Sequence, residues 1–173
     1  MKKFVSLLRG INVGGNKKVP MSDLINHFEK MGFKNIKTIL NSGNVVFEGN
    51  DKSPDQIPAH LEKAFGFEIP VITVPFEQIL QIIQMDPFKN IEVTPKTRLY
   101  LTFLPEPHNN PLEIPYSSDD NSFQIIHQTA TMLFSVLDLN KTGTVDAMKI
   151  LEKAYGKNIT TRNLNTVQKI GKL

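Results

Sequence analysis

A chain of 173 residues with 40% hydrophobic content and no cysteine is long enough to bury a real core, as one domain or two small subdomains, and excludes disulfides and thiolate-held metals. The net charge of +3 permits a nucleic-acid or phosphate partner without requiring one. No apolar run approaches the roughly 18 residues of a membrane span. The apolar stretch in MKKFVSLLRG is broken by Arg9 too soon for a signal peptide, so the expectation is a soluble cytoplasmic protein with no membrane partner.

The chain opens with an apolar strand, Phe4 to Leu8, that runs into the polar loop RGINVGGNKKVP. Phe4, Val5, Leu7 and Leu8 are apolar on both faces, as in a central strand. Gly10, Gly14 and Gly15 supply backbone that turns sharply or approaches a ligand closely. Met21, Leu24, Ile25, Phe28 and Met31 recur at helical spacing, with Ser22 as the expected N-cap and Gly32 as the stop. Strands are expected over 35–41 and 44–48, joined by a tight Ser42-Gly43 turn. Ser53-Pro54-Asp55-Gln56 reads as a capping box that opens a second helix, Val71 to Val74 is a fourth strand, and a third helix follows over 76–84.

The order β-α-β-β-α-β over the first 75 residues is that of a ferredoxin-like split βαβ unit. It predicts an antiparallel sheet in the order 4-1-3-2 with two helices on one face. The end of strand one then meets the hairpin tip, which brings Arg9 and Asn12 beside Asn41, Ser42, Gly43 and Asn44. The expected organisation is a subdomain over 1–84, a linker over 85–97 rich in turn residues, and a second α+β subdomain over 98–173. In that second half strands are expected from Leu99, Phe123 and Thr131, with an irregular proline-rich segment over 105–121 and a helix from Thr144 to Tyr155. In the tail TTRNLNTVQKI, Thr160 or Thr161 caps a short helix with Leu164, Val167 and Ile170 on one face. Asn163 falls near that apolar side, as a local staple or as part of a buried polar site.

LLRGINVGGNKKVPM, NSGNVVF and TTRNLNTVQKI resemble, in order and spacing, the signature segments of the bacterial family called domain of unknown function 1697. That family's tail carries tryptophan at the position of Leu164. The resemblance implies an α+β fold of two ferredoxin-like halves packed together, mainly antiparallel sheets, a cytoplasmic bacterial protein, and no assigned activity, catalytic residue or cofactor.

The residues themselves suggest an anion site. Arg9, Gly10, Asn12, Gly14, Gly15, Lys17 and Lys18 surround the start of a helix, where amide N–H groups and the positive dipole end favour negative charge. Asn41, Ser42 and Asn44 should adjoin them, and Arg162, Asn163 and Asn165 of the tail are expected to approach the same place. The expected ligand is a phosphate-bearing one, a nucleotide or RNA; the alternative is an enzyme acting on a small anionic substrate in a cleft between the halves. The loop matches neither G-x-x-x-x-G-K-[ST] nor G-x-G-x-x-G, and a tight connection explains its glycines equally well. Asp138 to Asp146 imitates part of a calcium loop but has Lys149 where the bidentate glutamate belongs. The four histidines lack metal-ligand spacing. Phe4 and Phe47 occupy strands on which RNA-recognition domains place stacking aromatics, without the accompanying consensus.

Overall fold

A computed structural model describes residues 1–173. The chain divides into two compact units, one of residues 1–84 with 168–173 and the other of residues 85–167.

In the first unit β1 (Lys2–Leu8), β2 (Lys34–Ile39), β3 (Asn44–Gly49) and β4 (Val71–Pro75) form one antiparallel sheet in the order β2-β3-β1-β4. This is the 4-1-3-2 order read from the sequence. Alternation along β1 sorts its side chains. Phe4, Leu8, Val45 and Phe47 share a core with Leu24 and Phe28 of α1 (Met21–Lys30) and with Ile57 and Leu61 of α2 (Ile57–Phe65). The opposite face carries Val5, Leu7 and Val46, all buried. The Nζ of Lys3 lies 4.0 Å from the ring centre of Phe76, which opens α3 (Phe76–Met85).

Both expected helix caps differ in the structure. Pro20, with φ −59° and ψ 136°, takes the N-cap position of α1, which leaves Ser22 inside the helix with no capping bond. Ser53 and Gln56 bound a 3-10 turn whose Ser53 hydroxyl donates to the Asn50 carbonyl at 2.5 Å, so α2 starts only at Ile57. The β2–β3 turn spans four residues, 40–43, because Leu40 and Gly43 both adopt positive φ, 57° and 76°.

The second unit contains β5 (Thr97–Phe103), β6 (Tyr116–Ser117), β7 (Phe123–Gln128), β8 (Met132–Asp138), α4 (Thr144–Tyr155) and β9 (Thr160–Asn163). Its sheet runs β6-β7-β8-β5-β9, all pairs antiparallel. Without β6, that is the first sheet's order with β5, β7, β8 and β9 in the places of β1, β2, β3 and β4. An irregular segment stands where the first unit has α1. The correspondence reaches side chains: Ser6 and Thr73 share a hydroxyl–hydroxyl bond of 2.6 Å between β1 and β4, and Thr102 and Thr161 one of 2.8 Å between β5 and β9. Ala147 and Leu151 of α4 cover a core of Leu104, Phe123, Ile125, Leu133 and Leu137.

The tail differs from the expected helix at its start. Thr160 to Asn163 is strand, paired with β5, and α5 (Leu164–Ile170) begins after it.

Candidate functional site

The polar loop after β1 is a small hairpin held by its own backbone. Asn12 N–H donates to the Lys17 carbonyl at 3.1 Å, and Asn16 N–H to that of Val13 at 3.2 Å. Such a tight return needs left-handed backbone, and Gly10, Asn12, Gly14, Gly15 and Lys17 all have positive φ. Gly and Asn enter that region at low cost, whereas Lys17 is the exception.

Asn12 fixes this hairpin to its surroundings. Its side-chain carbonyl accepts from Val19 N–H at 2.8 Å, and its amide donates to the carbonyls of Val19 and Asn41, each at 2.9 Å. All three bonds go to backbone, so Asn12 serves as a clamp. The turn it reaches lies close against β1. Leu8 N–H donates to the Gly43 carbonyl at 2.8 Å, and a Cβ at Gly43 would lie 2.7 Å from Leu8 Cβ. Asn44, fully buried, donates to the Ile39 carbonyl and the Ser42 hydroxyl, both at 3.0 Å.

Between the hairpin and the start of α1 lies an open pocket of about 440 Å³, lined by Asn12, Gly15, Lys18, Asn41 and the Val19-Pro20-Met21 entry to the helix. No side chain caps α1, and its first bonded amide is that of Leu24, donating to the Pro20 carbonyl at 3.0 Å. The amides at the mouth of the helix are therefore available to an anion. Lys18 is exposed at the rim. Lys17 points elsewhere: its ammonium donates to the Glu68 carbonyl at 3.1 Å and lies 5.6 Å from the centre of the Phe67 ring. Asp23, in the first turn of α1, is the opposing negative charge.

Of the residues singled out in the sequence, the structure brings Asn12, Gly15, Lys18 and Asn41 around one pocket, with Gly10, Gly14 and Lys17 in the same loop, Ser42 in the adjoining turn and Asn44 at the start of β3. Arg9 leads from β1 into the loop, its backbone N–H donating to the Pro70 carbonyl at 2.9 Å. Pro20 and Met21 were missed; a proline directly before an amphipathic run was the available signal.

Arg162, Asn163 and Asn165 lie in the second unit. The Arg162 guanidinium donates to Thr160 Oγ1 at 2.7 Å and to the Thr161 carbonyl at 3.0 Å, and burial pushes its pKa down to about 10. Asn163 accepts from Asn165 N–H at 2.9 Å, as an N-cap to the second position of α5. The cap is thus Asn163, not Thr160 or Thr161.

Phe4 and Phe47 stack on each other at 5.8 Å within the buried core, which rules out their use as a base-stacking platform. Lys149 pairs with Asp146 at 3.3 Å in the calcium-like stretch, and no group of three or more His, Cys, Asp or Glu is placed to hold a metal. No helix is long and apolar enough to cross a membrane.

Fold and pocket define an α+β protein whose first unit presents an uncapped helix start beside a clamped glycine hairpin. A family model described as "Protein of unknown function (DUF1697)" matches residues 1–128, and the chain belongs to that family. Among solved structures it is similar to a conserved bacterial protein, SP0830 from Streptococcus pneumoniae, with a TM-score of 0.73 and 21% identity over 99% of this chain and 97% of that one. That likeness is one of fold. An unknown protein from Galdieria sulphuraria aligns at a TM-score of 0.24 and 14% identity over 94% of this chain and 98% of that one. None of the curated proteins compared matches the sequence.

Proposed function

We propose that this protein binds the phosphate of a nucleotide, free or carried by RNA, in the pocket between the glycine hairpin and α1. The observation that carries this reading is the pocket itself. An opening of about 440 Å³ joins uncapped helix amides to the ammonium of Lys18 at a site whose hairpin is already fixed by Asn12. Helix amides and a lysine are general phosphate ligands, and the volume falls in the range of small-molecule sites. A clamped loop adds affinity because little ordering remains to be done on binding.

Equilibrium binding of ATP, GTP, inorganic phosphate and a short 5′-phosphorylated RNA at low salt tests the reading. Lys18→Ala should weaken binding about tenfold, the loss of one charge-assisted contact. Asp23→Asn should strengthen it by removing the competing negative charge. For RNA, the slope of log affinity against log salt should fall by about one unit in Lys18→Ala. Failure of all four ligands to bind at low salt overturns the proposal.

A further inference from the structure

The four histidines show no ligand spacing along the sequence, yet folding brings two of them, 33 residues apart, against each other. His27 lies on α1 and His60 on α2, the two helices whose apolar sides share the core of the first unit. His27 Nδ1 and His60 Nε2 stand 3.1 Å apart, with the ring planes at 64°. Both side chains are half-buried, so the pair is neither sealed in the core nor free to swing in solvent. The Phe65 ring meets His27 edge-on, 5.3 Å between centres at 67°, and steadies the imidazole from another side.

One proton between the two nitrogens accounts for that separation when both rings are neutral. A metal ion accounts for it as well: with metal–nitrogen bonds of about 2.0–2.1 Å, nitrogens 3.1 Å apart subtend roughly 100° at the ion, between the square and tetrahedral angles. The bond between the rings is the one hydrogen bond that either side chain makes, so no other group holds the outer nitrogens, His27 Nε2 and His60 Nδ1. Those atoms can carry the ring protons while both inner lone pairs turn to the ion. The local charges suit a neutral ligand. Burial, then the charges of Lys30 and His60, hold the His27 pKa below 6.5, and Asp23, one turn earlier on α1, opposes them and offsets the charge of Lys30.

We infer that His27 and His60 together bind a divalent metal ion of the zinc class, with water in its remaining positions, and so tie α1 to α2. No third protein ligand is placed there, so the site is open and the ion exchangeable, unlike a closed four-ligand structural site. It shares no residue with the phosphate pocket. Calorimetric titration of the full chain with zinc chloride at neutral pH, in a buffer that does not bind metal, tests the inference. One saturable site per chain is expected, weakened about tenfold in His27→Gln and in His60→Gln, unchanged in His127→Gln, and silent to magnesium chloride. Imidazole nitrogen NMR should show His27 and His60 shifting together as zinc is added, and zinc should raise the melting midpoint of the wild type and of neither single variant. No saturable binding, equal binding of magnesium, or undiminished zinc binding in either variant would reduce the pair to a hydrogen bond and overturn the inference.

Discussion

The side-chain amide of Asn12 donates to the backbone carbonyl of Asn41 at 2.9 Å, tying the glycine hairpin after β1 to the turn between β2 and β3. The same side chain also bonds both backbone groups of Val19, one residue before the Pro20 that opens α1. One residue therefore sets the distance between the three pieces that frame the pocket, and its backbone at φ 57° is one that asparagine tolerates better than most residues.

Asn12→Ala removes all three bonds and should cost about 1–3 kcal/mol in urea unfolding. Asn12→Asp keeps the acceptor for Val19 N–H and loses the two donors, so it should fall between wild type and alanine. An unchanged midpoint in Asn12→Ala would show that the hairpin holds its shape without the clamp.

Gly43 is a sharper test of the turn. A methyl there meets Leu8 Cβ at 2.7 Å and Ile11 Cδ1 at 2.9 Å, on backbone at φ 76°. Crowding and left-handed strain add, so Gly43→Ala should lose about 2–4 kcal/mol. Gly14→Ala, where no atom lies within 4 Å, carries the strain alone and should lose about 1–2 kcal/mol. Thermal melts of the two variants check the ranking.

Much of this arrangement was legible in the sequence. The alternation of helix and strand signals named the sheet order, and the sheet order brought the loop beside the turn at 41–44. Local choices were less legible, because they depend on competition between neighbouring groups. Ser22 lost the cap because Pro20 already has the φ that a helix entry needs. Lys17 and Lys18 are indistinguishable in the sequence, yet the positive φ of Lys17 goes with a side chain turned to Glu68 while Lys18 lines the pocket. The apolar spacing of Leu164, Val167 and Ile170 is helical, but the expected start at a Thr160 or Thr161 cap comes too early: pairing with β5 satisfies the backbone of Thr160 to Asn163, and tertiary pairing outweighs a local capping signal. The hydroxyl pairs Ser6–Thr73 and Thr102–Thr161 appear only once register is known.

The cap of α5 can be measured directly. Asn163→Ala should cost about 1 kcal/mol, within the usual 0.5–2 of a lost N-cap, whereas Asn163→Asp should recover most of it. Equal losses in both variants would move the role of Asn163 from capping to some other contact.

A fourth prediction concerns pH. His27 Nδ1 lies 3.1 Å from His60 Nε2, and burial, then the charges of Lys30 and His60, hold the His27 pKa below its ordinary 6.5, with Asp23 opposing. The unfolded chain therefore takes up this proton first as pH falls. The stability linked to His27 is fully present above about 6.5 and is lost as pH drops through the lowered folded value. The residue is only partly buried, so the effect is small. Urea midpoints should decline between pH 7.5 and 5 by more in wild type than in His27→Gln; parallel curves would count against the pair as their source.

The most direct measurement is an amide NMR titration of the wild type and Lys18→Ala with inorganic phosphate at low salt. Saturable shifts over Gly14 to Asp23 and at Asn41, lost in Lys18→Ala and enhanced in Asp23→Asn, are the predicted result. Shifts spread evenly over the surface lysines, or a loop response that Lys18→Ala leaves intact, would contradict a phosphate site at the start of α1.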